Sequence, residues 1–153
     1  MAVAMIAEII SGGQTGADRA ALDVAIRNGL PHQGWCPRGR KAEDGVIGGQ
    51  YNLKETPSAN YIQRTEWNVR ETDGTVGFTL AGDASAGSLR TIEFARKHKR
   101  PCAHISRAGN YKPEEALQRF VQGHGIGRLN VAGLRESKEP GNRLASIGKP
   151  VSA

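Results

Sequence analysis

Apolar runs alternate with stretches of helical periodicity along this chain, and no other feature restricts its fold as strongly. The runs "AMIAEII", "HQGWCP", "TVGFTL", "PCAHIS" and "RLNVAG" read as five short strands, the first over residues 5–11 and the last over 128–133. Helical patterns follow at 17–28, 58–72, 88–100, 112–125 and 139–148, with Ala21, Leu22, Ala25 and Ile26 on the apolar side of the first. Ser58 is a candidate N-cap for the second helix, and Pro113 opens the fourth at its first turn. The connection over 38–57 has few periodic apolar residues and reads as a long loop. Strands separated by helices pair in parallel, so the expected class is α/β with a central, mainly parallel sheet of about five strands in one domain over residues 1–153.

Such sheets bind ligands outside the carboxyl ends of their strands. The loops leaving those ends are 12–16, 37–44, 82–88, 106–110 and 133–137. The first, inside "SGGQTGAD", joins an apolar run to a helix through Gly12, Gly13, Gln14, Thr15 and Gly16. Glycines let backbone approach a ligand closely, and a helix N-terminus favours negative charge. The loop lacks both the Lys-Ser/Thr of a P-loop and the spacing of a dinucleotide fingerprint. Its chemistry still suits an anion, a phosphate above all. Asp18, in the first helical turn, either complements the helix dipole or meets a ligand hydroxyl.

Two of the other loops at this end of the sheet, and one helix, carry further candidates. In "GDASAGSL", Gly87, Ser88 and Thr91 are candidate anion donors at a helix start. In "PRGRKAEDG", Arg38 and Arg40 are candidate phosphate ligands, because a guanidinium grips a phosphate through two hydrogen bonds. In "RTEWNVRETDG", Arg64 and Asn68 stand at i and i+4 on one helical face and can reach a ligand together. Trp67, on the same helix, is either a core residue or a stacking surface, with burial favoured for so large a side chain. The run "RKHKR" reads as a solvated helix end.

The formal net charge of +6 favours anionic partners. Nucleic acid is not the expected one: aromatics make up only 5% and no recognition motif is present. No 18-residue apolar stretch exists, so no membrane span is expected. Cys36 and Cys102 lack a metal-type spacing and read as reduced thiols of a cytoplasmic protein, and the four histidines are scattered, so no metal site is expected. Cys36 in particular has no recognisable base partner and reads as an inert buried thiol.

The motifs "ISGGQTGADRAALDVAI", "GWCPRGRKAEDG", "RTEWNVRETDGTV", "GSLRTIEFA" and "LNVAGLRES", in this order and spacing, resemble those of the family described as putative molybdenum carriers, the circularly permuted YpsA-like branch of the SLOG superfamily. The resemblance covers about residues 6–148. It implies a Rossmann-like three-layer sandwich that binds nucleotides or nucleotide-like ligands at its glycine-rich loops. It further implies either a nucleotide or the molybdenum cofactor, a phosphorylated pterin, as ligand, and a homo-oligomer, dimer or tetramer. Gly12, Gly13, Thr15 and Gly16 match the first loop of the family, and Gly87, Ser88 and Thr91 match the second. The Lonely Guy enzymes of the superfamily, which cleave the N-glycosidic bond of nucleotides, carry a glutamate three residues after the threonine of the second loop. Here Phe94 stands at that position and Glu93 falls one short, about 100° away around the helix. Binding without turnover is therefore the leading expectation and no catalytic residue is assigned. A nucleotide N-glycoside hydrolase is the alternative, with Asp18, Glu43, Asp44 and Glu66 as its candidate carboxylates.

Overall fold

The computed structural model describes residues 6–79, 86–106 and 112–133, without the side chains of 86–88. The elements in chain order are β1 (Glu8–Ile10), α1 (Ala17–Arg27), β2 (His32–Gln33), β3 (Trp35–Cys36), β4 (Lys41–Ala42), β5 (Gly45–Val46), β6 (Lys54–Glu55), α2 (Tyr61–Arg70), β7 (Gly74–Thr79), α3 (Ala86–Lys97), β8 (Cys102–Ser106), α4 (Pro113–His124) and β9 (Arg128–Gly133). Five of the strands form one sheet in the order β2-β1-β9-β7-β8. Every pairing in it is parallel, with Ile10 opposite Asn130, Val76 opposite Val131 and Thr79 opposite Ser106. The expected α/β sandwich is therefore present. The chain moves from β1 outward to β2, and from β7 outward to β8 on the other side, and β9 returns between them. Connections diverge at the middle of this sheet, which is where parallel α/β folds leave a crevice.

Period-two alternation sorts each strand's side chains between the two faces. Toward α1 and α4 the sheet turns Ile9, Val76, Phe78, Ile105, Leu129 and Val131, which are buried with Ala17, Ala21, Ala25, Leu117 and Val121. Toward α2 and α3 it turns Thr75, Thr79, Ser106 and Asn130, all buried as well. α4 starts at its proline, has Glu114 and Glu115 in its first turn, and ends on Gly125 in the left-handed region.

Three local readings of the sequence are corrected. "HQGWCP" is not one strand: the chain bends at Gly34, so β2 joins the main sheet while β3 pairs with β6. A Cβ at Gly34 would lie 2.0 Å from the Ser11 carbonyl oxygen, so glycine is required where these backbones meet. The N-cap of α2 is Asn60, whose side chain accepts from the Ile62 amide at 2.8 Å; Ser58 lies two residues earlier and accepts from Asn60 instead. The connection over 38–57 is folded rather than open. It carries the β4–β5 ladder, and Ala42, Ile47, Tyr51 and Leu53 form a second core with Leu22 and Cys36. Of the other sequence expectations, the helix at 139–148 and the loops at 82–85, 107–110 and 134–137 lie outside the described residues.

Candidate functional site

The connection 38–57 explains one candidate at once. Arg40 does not reach toward the sheet: its guanidinium donates to the carbonyls of Ile47, Gly48, Tyr51 and Leu53 at 2.8–3.2 Å. A group already holding four carbonyls organises the excursion and has little left for a phosphate. Arg38 is exposed beside it, and neither residue lines the cleft described below.

The glycine loop is braced in a comparable way. The Ser11 hydroxyl donates to the Asp18 carbonyl and accepts from the Gly13 amide. The Gln14 Oε1 accepts from the amides of Thr15 and Glu43. The Thr15 hydroxyl donates to the Glu43 carboxylate, and Arg19 bridges the Gly13 carbonyl to Asp44. Two amides that the sequence suggests for an anion, those of Gly13 and Thr15, are thus used inside the loop. Gly13 has φ +77, and a Cβ there would lie 2.6 Å from Leu53 Cδ1, while Gly16 is the N-cap of α1. These residues shape the site from behind.

The cleft itself, about 170 Å³, opens at the carboxyl ends of β1 and β9 between α2 and α3. Gly12 and Gln14 line it from the loop, Asp18 from α1, and Asn130 and Gly133 from β9. α2 contributes Tyr61, Arg64, Thr65 and Asn68, and α3 contributes Arg90 and Thr91. Of the sequence candidates, Gly12, Gln14, Arg64, Asn68 and Thr91 are brought together here. Gly87 and Ser88 belong to the first turn of α3, and the Ser88 side chain lies outside what the structure describes.

Arg64 is the organising cation. Its Nη1 donates to Asp18 Oδ2 at 2.9 Å, and its Nε donates to the Tyr61 carbonyl at 3.3 Å. The Asp18 side chain is buried, at 6% exposed, and that of Arg64 is largely covered, at 12%. The guanidinium lies directly against Gly12, where a Cβ would stand 1.8 Å from Nη1. Glycine at this position therefore admits a charge from α2. Burial pushes the Asp18 carboxyl above its usual range, against the pull of Arg64. Asn68 lines the cleft, but its amide is committed to β3, accepting from the Trp35 amide at 2.8 Å and donating to the Trp35 carbonyl at 3.0 Å. Trp67 is only half-buried. It meets Trp35 edge-on, 4.8 Å between centroids, and carries Arg70 over its ring.

Gln14 supplies a different feature. It is 4% exposed, and its Nε2 is the buried side-chain polar atom left without a hydrogen-bond partner among the described residues. Sequence reasoning did not find Tyr61, Thr65, Arg90 or Asn130. The first two were within reach: Tyr61, Arg64, Thr65 and Asn68 recur at helical spacing on one face of α2. Asn130 and Arg90 carry no such signal, because only the sheet order places β9 beside β1 and α3 above it.

The carboxylates divide as well. Among those named above, only Asp18 lines the cleft. Glu43 accepts from Thr15, Asp44 is paired with Arg19, and Glu66 holds Lys97 and His98 at 2.7 Å each. Glu93 is exposed on α3. Burial raises the thiols of Cys36 and Cys102. Among the described residues, no group of three or more His, Cys, Asp or Glu could hold a metal ion, and no helix is long and apolar enough to cross a membrane.

A family model described as the circularly permutated YpsA SLOG family matches residues 9–146. The chain is also similar to a solved structure, that of a "Putative molybdenum carrier protein" from Syntrophus aciditrophicus SB. The two are 43% identical, with a TM-score of 0.88 over 94% of this chain and 91% of the other. Comparison with curated proteins gives no match.

Proposed function

The chain belongs to the circularly permutated YpsA SLOG family, and from that premise we propose that it is a ligand-binding protein whose cleft takes a phosphorylated heterocycle. The two candidates are a nucleotide and the molybdenum cofactor, the second favoured by the description of its 43% identical neighbour as a molybdenum carrier. The observation that carries the proposal is Arg64, held by Asp18 across the bare backbone of Gly12 where the sheet's connections diverge. A cation fixed before the ligand arrives loses little freedom on binding. Arg90 adds a second guanidinium, which has no ion pair or hydrogen bond among the described residues.

The cleft supports binding better than turnover. A hydrolase acting on an N-glycosidic bond needs a carboxylate near the bond that breaks. Asp18, the carboxylate of the cleft among those considered, is occupied by Arg64. Contacts that hold substrate and transition state equally do not accelerate chemistry. Incubation with adenosine and guanosine monophosphates should release no free base. At least one phosphorylated heterocycle, tested anaerobically where it is a molybdopterin, should raise the melting temperature. Base release that Asp18→Asn abolishes would replace the proposal with the hydrolase. The same reading has the protein act as a homo-oligomer, dimer or tetramer, and a monomer mass by light scattering would remove that part.

A further inference from the structure

We propose that the cleft distinguishes oxo-heterocycles from their amino counterparts, and that the buried amide of Gln14 makes the distinction; this rests on the ligand-binding reading above. Gln14 lines the cleft and is 4% exposed. Its amide has a fixed sense. Oε1 accepts from the Thr15 amide at 3.0 Å and from the Glu43 amide at 2.9 Å, so a flip would set a donor against two donors. The nitrogen is therefore the end left for a ligand, and it has no partner among the described residues. A buried donor without an acceptor is costly, and a ligand that brings the acceptor removes the cost.

The acceptor is a neutral one. Asp18 also lines the cleft and is paired with Arg64 at 2.9 Å. Arg90, on α3, lines the cleft as well. The Gln14 amide is uncharged and suits a neutral acceptor, while the guanidinium groups of Arg64 and Arg90 are the cleft's partners for a phosphate. A ring carbonyl at Gln14 accepts from Nε2, whereas an amino group there would set N–H against N–H. Sites built to hydrogen-bond one group reject an analogue that cannot complete the bond.

Gln14→Glu tests this without dismantling the loop. The variant keeps an oxygen for the Thr15 and Glu43 amides and turns the donor into an acceptor. Calorimetry would compare it with the unaltered protein on two pairs of probes, inosine against adenosine monophosphate and pterin against 2,4-diaminopteridine. In at least one pair the unaltered protein should bind the oxo member about tenfold or more tightly, and Gln14→Glu should erase or reverse that preference. If Gln14→Glu does not fold, Gln14→Met, which lacks the donor and adds no charge, should erase it too. Equal affinity within both pairs, or a preference that survives in the variant, would overturn the inference and leave the binding role standing. Binding of none of the four probes by the unaltered protein would take down the reading of the cleft and the inference with it. Which pair responds tells a nucleotide ligand from a pterin one.

Discussion

On the face that meets α1 and α4, β7 turns Val76 and Phe78 inward, and β9 does the same with Leu129 and Val131. On the opposite face the same two strands bury Thr75, Thr79 and Asn130. The polar face is held by pairs: Asn130 Nδ2 donates to Thr75 Oγ1 at 3.1 Å, and Thr79 Oγ1 meets His104 Nε2 at 2.8 Å. Burying apolar groups is favourable without any partner, whereas burying a hydroxyl or amide costs unless it is hydrogen-bonded. The first face can therefore be made from volume and pattern alone, while the second needs each group to meet a specific other. The cleft opens on the second face. The difference teaches that one side of these strands is built by packing alone and the other by specific polar pairs, and on the proposed reading it is the second side that meets the ligand.

The sharpest way to break that division is Leu129→Ala, which removes a fully buried side chain from the apolar face. It should cost about 2–5 kcal/mol in urea unfolding and leave ligand affinity of the folded protein unchanged. A change in affinity comparable with the loss of stability would mean that the two faces are coupled. Thr75→Val, on the polar face, conserves volume and leaves Asn130 Nδ2 without its acceptor. An unfolding cost of about 1–2 kcal/mol is expected; a more stable variant would show that the pair contributes nothing to folding. Gly12→Ala should act mainly on binding, because the new Cβ pushes aside the Arg64 guanidinium. Affinity should fall about tenfold, the equivalent of one charge-assisted hydrogen bond.

The smallest effect is electrostatic. Hydrogen bonds from Lys97, and then from His98, hold the Glu66 carboxyl below its usual range. A lowered carboxyl stabilises the fold above its unfolded pKa and loses that contribution as pH falls through the folded one. Melting temperature should therefore drop on acidification below 4.5, and Glu66→Gln should make that drop shallower. An identical acid profile for the variant would remove the α2–α3 clasp from the account.

The same division governs what could be read in the sequence. The apolar face was legible, since alternating runs and helical spacing record burial directly, and they led to the five parallel strands. The excursion over 38–57 was not, because Arg40 gathers four carbonyls from residues up to 13 positions away, a clamp that leaves no periodic trace. The glycine loop was legible as a place of close approach. That the approaching group at Gly12 is Arg64, 46 residues beyond its partner Asp18, depends on how α2 lies across the sheet. The shared face of Arg64 and Asn68 followed from spacing alone, but the commitment of Asn68 to the Trp35 backbone required the turn at Gly34 that separates β2 from β3.

The central claim is that the cleft on the polar face holds a phosphorylated heterocycle. Mass spectrometry of the molecule released from freshly, anaerobically purified protein, with Gly12→Ala purified in parallel, tests it most directly. The expected result is a compound with both a heterocyclic ring and a phosphate, present in the unaltered protein and depleted in the variant. A released molecule that lacks either part, or equal loads in the two proteins, would contradict the account.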